Sequence, residues 1–77
     1  MFMTKTFEKN LLLMILRDIR EISNAENSIT KNYYDCYNYL NDIIHTIGNN
    51  ASEWLLTELC IQKQCYQYKY LINKGLI

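Results

Sequence analysis

The stretch ITKNYYDCYNYLNDIIHTI, residues 29–47, decides the predicted fold because its apolar side chains recur at helical spacing. Steps of four, three, four, three and four residues separate the members of one stripe: Ile29, Tyr33, Cys36, Leu40, Ile43 and Ile47. Since about 3.6 residues make one helical turn, these side chains share one face of a single helix. The sequence therefore predicts an amphipathic helix over residues 29–47 that buries this face.

A preceding helix is predicted over residues 4–23. Its stripe alternates between steps of three and four residues, and consists of Leu12, Ile15, Ile19 and Ile22. The polar segment 24–28 breaks the pattern and predicts a short loop, in which Asn27 or Ser28 caps the next helix through a side-chain oxygen.

A third helix is predicted over residues 51–74. Gly48 stands where a helix end favours a left-handed residue, and Asn50 with Glu53 forms a variant capping box that opens the helix at Ala51. Gly75 can take the left-handed conformation that ends it. One apolar stripe contains Trp54, Ile61, Cys65, Tyr68 and Ile72, and an adjoining stripe contains Leu55, Leu59, Tyr66 and Tyr70.

These patterns predict an all-α fold, with one helical domain over residues 1–77 built as a three-helix bundle or an open helical array. Apolar residues make up 49% of the chain, which is more than a domain of this length can bury. Residues 11–16 are apolar on every side of their helix. We therefore expect the domain to be dimeric or bound to a partner.

Charge and composition narrow the classes of function. Eight basic and eight acidic residues give a formal net charge of zero, which removes the attraction that nucleic acid needs. Almost half of the residues are Phe, Tyr, Met, Ile, Asn or Lys, whereas Pro and Val are absent. This bias is typical of AT-rich coding DNA, and it favours a phage or mobile-element accessory protein.

The cysteines and the hydropathy pattern predict a cytoplasmic protein. Three cysteines form no disulfide framework, which favours a reducing compartment. No apolar run approaches the ~20 residues of a transmembrane helix, and the apolar run 11–16 is shorter than the core of a signal peptide.

An enzyme or a metal site is not expected, and neither is a cofactor. His45 is the only histidine, and no nucleophile or Gly-rich loop accompanies it in a recognisable setting. Cys60 and Cys65 are five residues apart on one predicted helix, so a rotation of roughly 140° separates them and they cannot clamp one metal ion.

The alternative to a protein-binding function is a helix-turn-helix-like DNA-binding regulator. With Cys60 in the turn of such a motif, Leu56 stands where a small residue is usual, and Lys69 stands where a buried residue is needed. Only Lys63, Lys69 and Lys74 would face phosphate from this helix, which is a small basic footprint.

The candidate binding residues are therefore apolar and aromatic. The run Leu11–Leu16, which includes Leu13 and Met14, is the predicted self-contact, because a helix with one buried face does not need six consecutive apolar residues. The predicted partner anchors are Tyr34, Tyr39 and Tyr68, since tyrosine is enriched at interface hot spots and these three cannot all point inward with the main stripes. Packing in the core is the alternative for any single tyrosine. The predicted function is a small, non-enzymatic intracellular regulator that binds a protein and controls lysis, host transcription, a defence system or a toxin.

Overall fold

The computed structural model describes residues 4–24 and 29–76, apart from the side chains of residues 29–31. Three helices account for most of this part of the chain: α1 (Lys5–Ser23), α2 (Ile29–Ile47) and α3 (Glu53–Asn73). They pack into an elongated helical bundle of 42 × 23 × 15 Å. The predicted all-α fold is thus confirmed for the described residues, while the predicted capping residues Asn27 and Ser28 lie outside them.

The N-terminus of α1 is closed by a side-chain cap. Thr4 precedes the helix in an extended conformation, and its Oγ1 accepts a hydrogen bond from the amide of Phe7 at 3.1 Å. Glu8 lies in the first turn, where the helix dipole favours a negative charge. These contacts place the start of α1 at Lys5.

The turn from α2 to α3 differs from the predicted one. Gly48 is not left-handed, because Gly75 is the only described residue with a positive φ. The amides of Asn50 and Ala51 instead donate to the carbonyl of Ile47, at 2.9 and 3.0 Å. A Cβ at Gly48 would lie 2.9 Å from the carbonyl oxygen of Ile44, so this close approach is what requires glycine.

The predicted capping box at Asn50 is also wrong. Ser52 occupies the N-cap position, its own side chain makes no capping hydrogen bond, and α3 begins at Glu53 rather than at Ala51. The physical reason is that the amides of Asn50 and Ala51 still close the end of α2, so the new helix starts after them.

The end of α3 follows the prediction. Gly75 has a φ of 74°, its amide donates to Ile72, and the amide of Leu76 donates to Leu71, both at 3.0 Å. This pair of hydrogen bonds is the Schellman motif, which satisfies carbonyls that the last turn leaves unpaired.

Neighbouring helices run antiparallel. Between α2 and α3, the ring of Tyr33 lies against Tyr66 and the ring of Tyr34 lies against Tyr70, with centroids 6.1 and 5.3 Å apart. Contacts between α1 and α2 follow the same order: Asp18 near the end of α1 meets Tyr39 within α2. The α2 and α3 pair is the most extensive helix contact.

The core is small and draws on all three helices. Its buried apolar residues are each 2% exposed or less: Ile15, Ile19, Cys36, Leu40, Leu55 and Leu59. The predicted stripes of α1 and α2 supply four of them, and the second stripe of α3 supplies the other two. The first stripe of α3 faces away from the core, since its described members are all exposed.

The apolar run 11–16 divides between the core and the surface. Ile15 is buried, and Leu11, Leu12 and Leu16 pack against the core at its edge. Only Leu13 and Met14 are exposed. The run is therefore apolar largely because α1 buries a wide face against the α2–α3 pair.

Candidate functional site

One exposed apolar surface follows the whole length of α3, and we call it the α3 outer stripe. It consists of Trp54, Ile61, Cys65, Tyr68 and Ile72. The four large side chains of the stripe are each between 38% and 55% exposed. Contiguous exposed apolar side chains of this kind mark binding surfaces more often than scattered ones do. The sequence revealed this stripe but could not tell which of the two α3 stripes faces the core.

A second exposed apolar surface lies on α1, and we call it the α1 patch. Phe7 and Met14 are 55% and 46% exposed, and with Asn10 and Leu11 they line a shallow depression. Of the predicted self-contact, Leu11 and Met14 belong to this patch. Leu13 is 65% exposed but is not among the residues that line the depression.

The three predicted tyrosine anchors have different environments. Tyr34 and Tyr68 are exposed, and the ring of Tyr34 rests against Tyr70. Tyr39 packs against the core, and its hydroxyl donates to Oδ2 of Asp18 at 2.7 Å. Burial first, and then this hydrogen bond, raise the pKa of Tyr39 to about 12. Tyr34 and Tyr68 are therefore at the surface, whereas the Tyr39 hydroxyl has its contact within the chain.

The tyrosines between α2 and α3 form a seam that lysines cover. The ammonium group of Lys69 lies 5.8 Å from the ring centroid of Tyr33 and 5.0 Å from that of Tyr66. Lys63 lies 5.7 Å from the Tyr37 ring and Lys74 lies 5.6 Å from the Tyr70 ring. Each such cation–π contact contributes roughly 0.5–1 kcal/mol at an exposed site. Lys63, Lys69 and Lys74, which the DNA-binding hypothesis would assign to phosphate contacts, thus have contacts within the chain.

Glu8 is a buried carboxylate that sequence reasoning missed. It is 1% exposed, and its Oε2 accepts a hydrogen bond from the amide of Ser52 at 2.6 Å. Its other oxygen has no hydrogen-bond partner among the described residues. Glu8 thereby satisfies the amide of the N-cap residue of α3 from another helix. The signal was present in the sequence, because Glu8 lies four residues before Leu12 on the apolar stripe of α1.

The hydrogen bond to Glu8 makes the stability of the fold depend on pH. Donation from the Ser52 backbone is the largest effect, and it lowers the pKa of the Glu8 carboxyl below its ordinary value of 4.5 despite the opposing effect of desolvation. A carboxyl whose pKa is lower in the folded state stabilises the fold above its unfolded pKa. That contribution is lost as the pH falls through the folded pKa.

The variant Glu8→Gln tests this contact. Its amide oxygen can still accept from Ser52, but the negative charge at the N-terminus of α3 is removed. We expect Glu8→Gln to melt at a lower temperature than the wild type at pH 7. The difference in Tm should narrow progressively below pH 4.5, as Glu8 itself is neutralised. A Tm difference that is constant from pH 7 to acid conditions would contradict the contact.

Cysteine and histidine side chains do not assemble into a chemical centre. Cys36 is buried, and its thiol donates to the carbonyl of Ile19 at 3.6 Å. Burial raises the pKa of Cys36 to about 11, so its thiol stays protonated at neutral pH. In residues 4–24 and 29–76, no three His, Cys, Asp or Glu side chains cluster closely enough to hold a metal ion.

None of the helices in the described ranges has the length and apolar character needed to cross a membrane. Comparison of the chain with protein-family models, with curated proteins and with solved structures gives no match in any of the three. The exposed surfaces described above are therefore the main indication of function.

Proposed function

We propose that this protein is a small non-enzymatic regulator that acts by binding other protein chains through its exposed apolar surfaces. The observation that carries the proposal is the balance between buried and exposed side chains. Nine large hydrophobic side chains of the described residues are exposed, whereas six hydrophobic side chains are fully buried. Exposed hydrophobic side chains indicate a binding surface when they are contiguous rather than scattered.

The distribution of the exposed groups supports the proposal as well. Six of the nine lie on the α3 outer stripe or the α1 patch, and both surfaces contain aromatic side chains. Aromatic residues bury a large area at a low cost in side-chain entropy, and they are enriched among interface hot spots. The neutral net charge fits protein contacts that rest on apolar burial rather than on electrostatic attraction.

The AT-rich composition supports an origin in a phage or another mobile element, where a short regulator can control lysis, host transcription, a defence system or a toxin. We propose the α1 patch as the face for such a target. Its two large side chains project from a helix that Ile15 and Ile19 anchor in the core, so the backbone of the patch is held in place before binding. Rigid surfaces lose less entropy when they bind.

An affinity-capture experiment with variants tests the proposed function. Wild-type protein, Phe7→Glu, Met14→Glu and Thr6→Glu are immobilised and exposed to an extract of the cells that carry the gene. Thr6→Glu is the matched control, because it adds the same charge at an exposed position of α1. We expect Phe7→Glu and Met14→Glu to reduce capture at least tenfold while the control retains it. The proposal would be contradicted if all four immobilised chains captured the same amount of a protein from the extract, or if no chain captured any.

A further inference from the structure

The α3 outer stripe has the residue spacing of a helix-pairing surface. Seven residues separate Trp54 from Ile61 and Ile61 from Tyr68, while Cys65 and Ile72 each follow four residues later. Apolar side chains at alternating steps of three and four form the seam along which two helices pair. The stripe spans eighteen steps of ~1.5 Å, or about 27 Å, which is long enough for several layers of contact.

One charged residue lies on the same line. Glu58 follows Trp54 by four residues and is exposed, so it occupies the position that continues the stripe between Trp54 and Ile61. A partner that covers the stripe must supply a hydrogen-bond donor at this point, because a buried and unpaired carboxylate is costly. This requirement restricts which partner fits.

We propose that a second copy of this chain binds the α3 outer stripe, with the two α3 helices antiparallel. A two-fold axis that crosses the helix pair at the level of residue 63 places Trp54 opposite Ile72 of the second copy. The same axis places Ile61 opposite Cys65 of the second copy. In each pair a larger side chain meets a smaller one, and the symmetry generates every pair twice.

The same register supplies the missing donor. It places Glu58 opposite Tyr68 of the second copy, whose phenolic hydroxyl donates to a carboxylate. A hydrogen bond to an ionised acceptor is stronger than one between neutral groups. All six positions of the stripe, the charged one included, therefore find a complementary group on an identical surface.

Parallel pairing in register lacks this complementarity. It would place Glu58 against Glu58 of the second copy, and two carboxylates in one layer repel each other. It would also place Trp54 against its own copy and align the two helix dipoles. The antiparallel arrangement avoids each of these contacts.

This inference rests on the proposed function and names the partner of one of its two surfaces. A dimer through α3 leaves the α1 patch available, so each dimer presents two copies of the patch to a target. The two proposals can fail separately, since the capture variants lie on α1 and the dimer contact lies on α3.

Disulfide trapping tests the register. Two cysteines can be bridged only when their Cα atoms are within about 7 Å. In the variant Ile61→Cys, the new thiol faces Cys65 of the second copy, and mild oxidation should give a covalent dimer on a non-reducing gel. The double variant Ile61→Cys/Cys65→Ser is the matched control. It should give at least tenfold less covalent dimer, because residue 61 of one copy is offset from residue 61 of the other by about 6 Å along the helices, which is unfavourable for a disulfide.

Each outcome bears on the proposal. A covalent dimer of Ile61→Cys that disappears in the double variant supports the antiparallel register. Absence of covalent dimer from Ile61→Cys overturns the self-pairing. Efficient oxidation of the wild type to a dimer joined through Cys65 would overturn the register in favour of parallel pairing. Far-UV circular dichroism of the reduced variants should match that of the wild type, because Ile61 is half exposed in the single chain.

Discussion

Truncation of Leu40 to alanine is expected to lower the free energy of unfolding by about 2–5 kcal/mol. Leu40 is fully buried at the centre of the core, where side chains from all three helices meet. The variant loses apolar burial and leaves a cavity, because the surrounding helices relax only partly. A domain of this length has roughly 4–12 kcal/mol of stability, so Leu40→Ala should lose a large share of its stability and unfold at a much lower denaturant concentration than the wild type.

Chemical denaturation monitored by circular dichroism measures this effect. Leu59→Ala should behave in the same way, since Leu59 is equally buried on α3. Leu13→Ala is the matched control, because it removes the same atoms from a side chain that is largely exposed, and surface changes usually stay within about 0.5 kcal/mol. Similar midpoints for Leu40→Ala and Leu13→Ala would show that the core is placed wrongly.

Substitution of Ile61 by glutamate is expected to weaken self-association at least 30-fold. The change places a charge at the centre of the α3 outer stripe, where dimerisation would bury it against Cys65 of the second copy without a partner. Removing one partner of a desolvated contact costs about 2 kcal/mol or more at an interface hot spot. The fold of the single chain should be unaffected, because the Ile61 side chain is 47% exposed on the face of α3 that points away from the core.

Size-exclusion chromatography with light scattering tests this prediction by measuring the mass of each variant in solution. Gln67→Glu is the matched control, since it adds the same charge to an exposed position of α3 that lies outside the stripe. We expect the control to keep the mass of the wild type and Ile61→Glu to elute as a single chain. An unchanged mass for Ile61→Glu would show that the dimer contact does not lie on the α3 outer stripe.

Much of the fold was predictable because α1 and α2 each carry one clear stripe. Periodicity alone placed Ile15, Ile19 and Leu40 in the core, and Gly75 marked the end of α3. The turn between α2 and α3 was not predictable in the same way. The amides of Asn50 and Ala51 close the end of α2, and the amide of Ser52 is bound by Glu8, which lies on α1 more than forty residues earlier in the chain.

The candidate site was only partly predictable. Two adjoining stripes on α3 are equivalent in a sequence, and only packing against α2 decides that Leu55 and Leu59 face inward while Trp54 and Ile61 face outward. Tyr39 illustrates the same limit, because its position off the main stripe suggested an exposed anchor. The decisive contact is with Asp18 on another helix, which periodicity within one helix does not reveal.

The central claim is that the exposed apolar surfaces of this chain are binding surfaces, and sedimentation equilibrium of the wild-type protein tests it most directly. Samples from about 1 to 100 µM cover the range in which a small helix-to-helix contact associates. We predict that the average mass rises with concentration, from the 9.3 kDa of one chain towards twice that value. A mass of 9.3 kDa at every concentration, together with no binding of a hydrophobic dye, would contradict the claim.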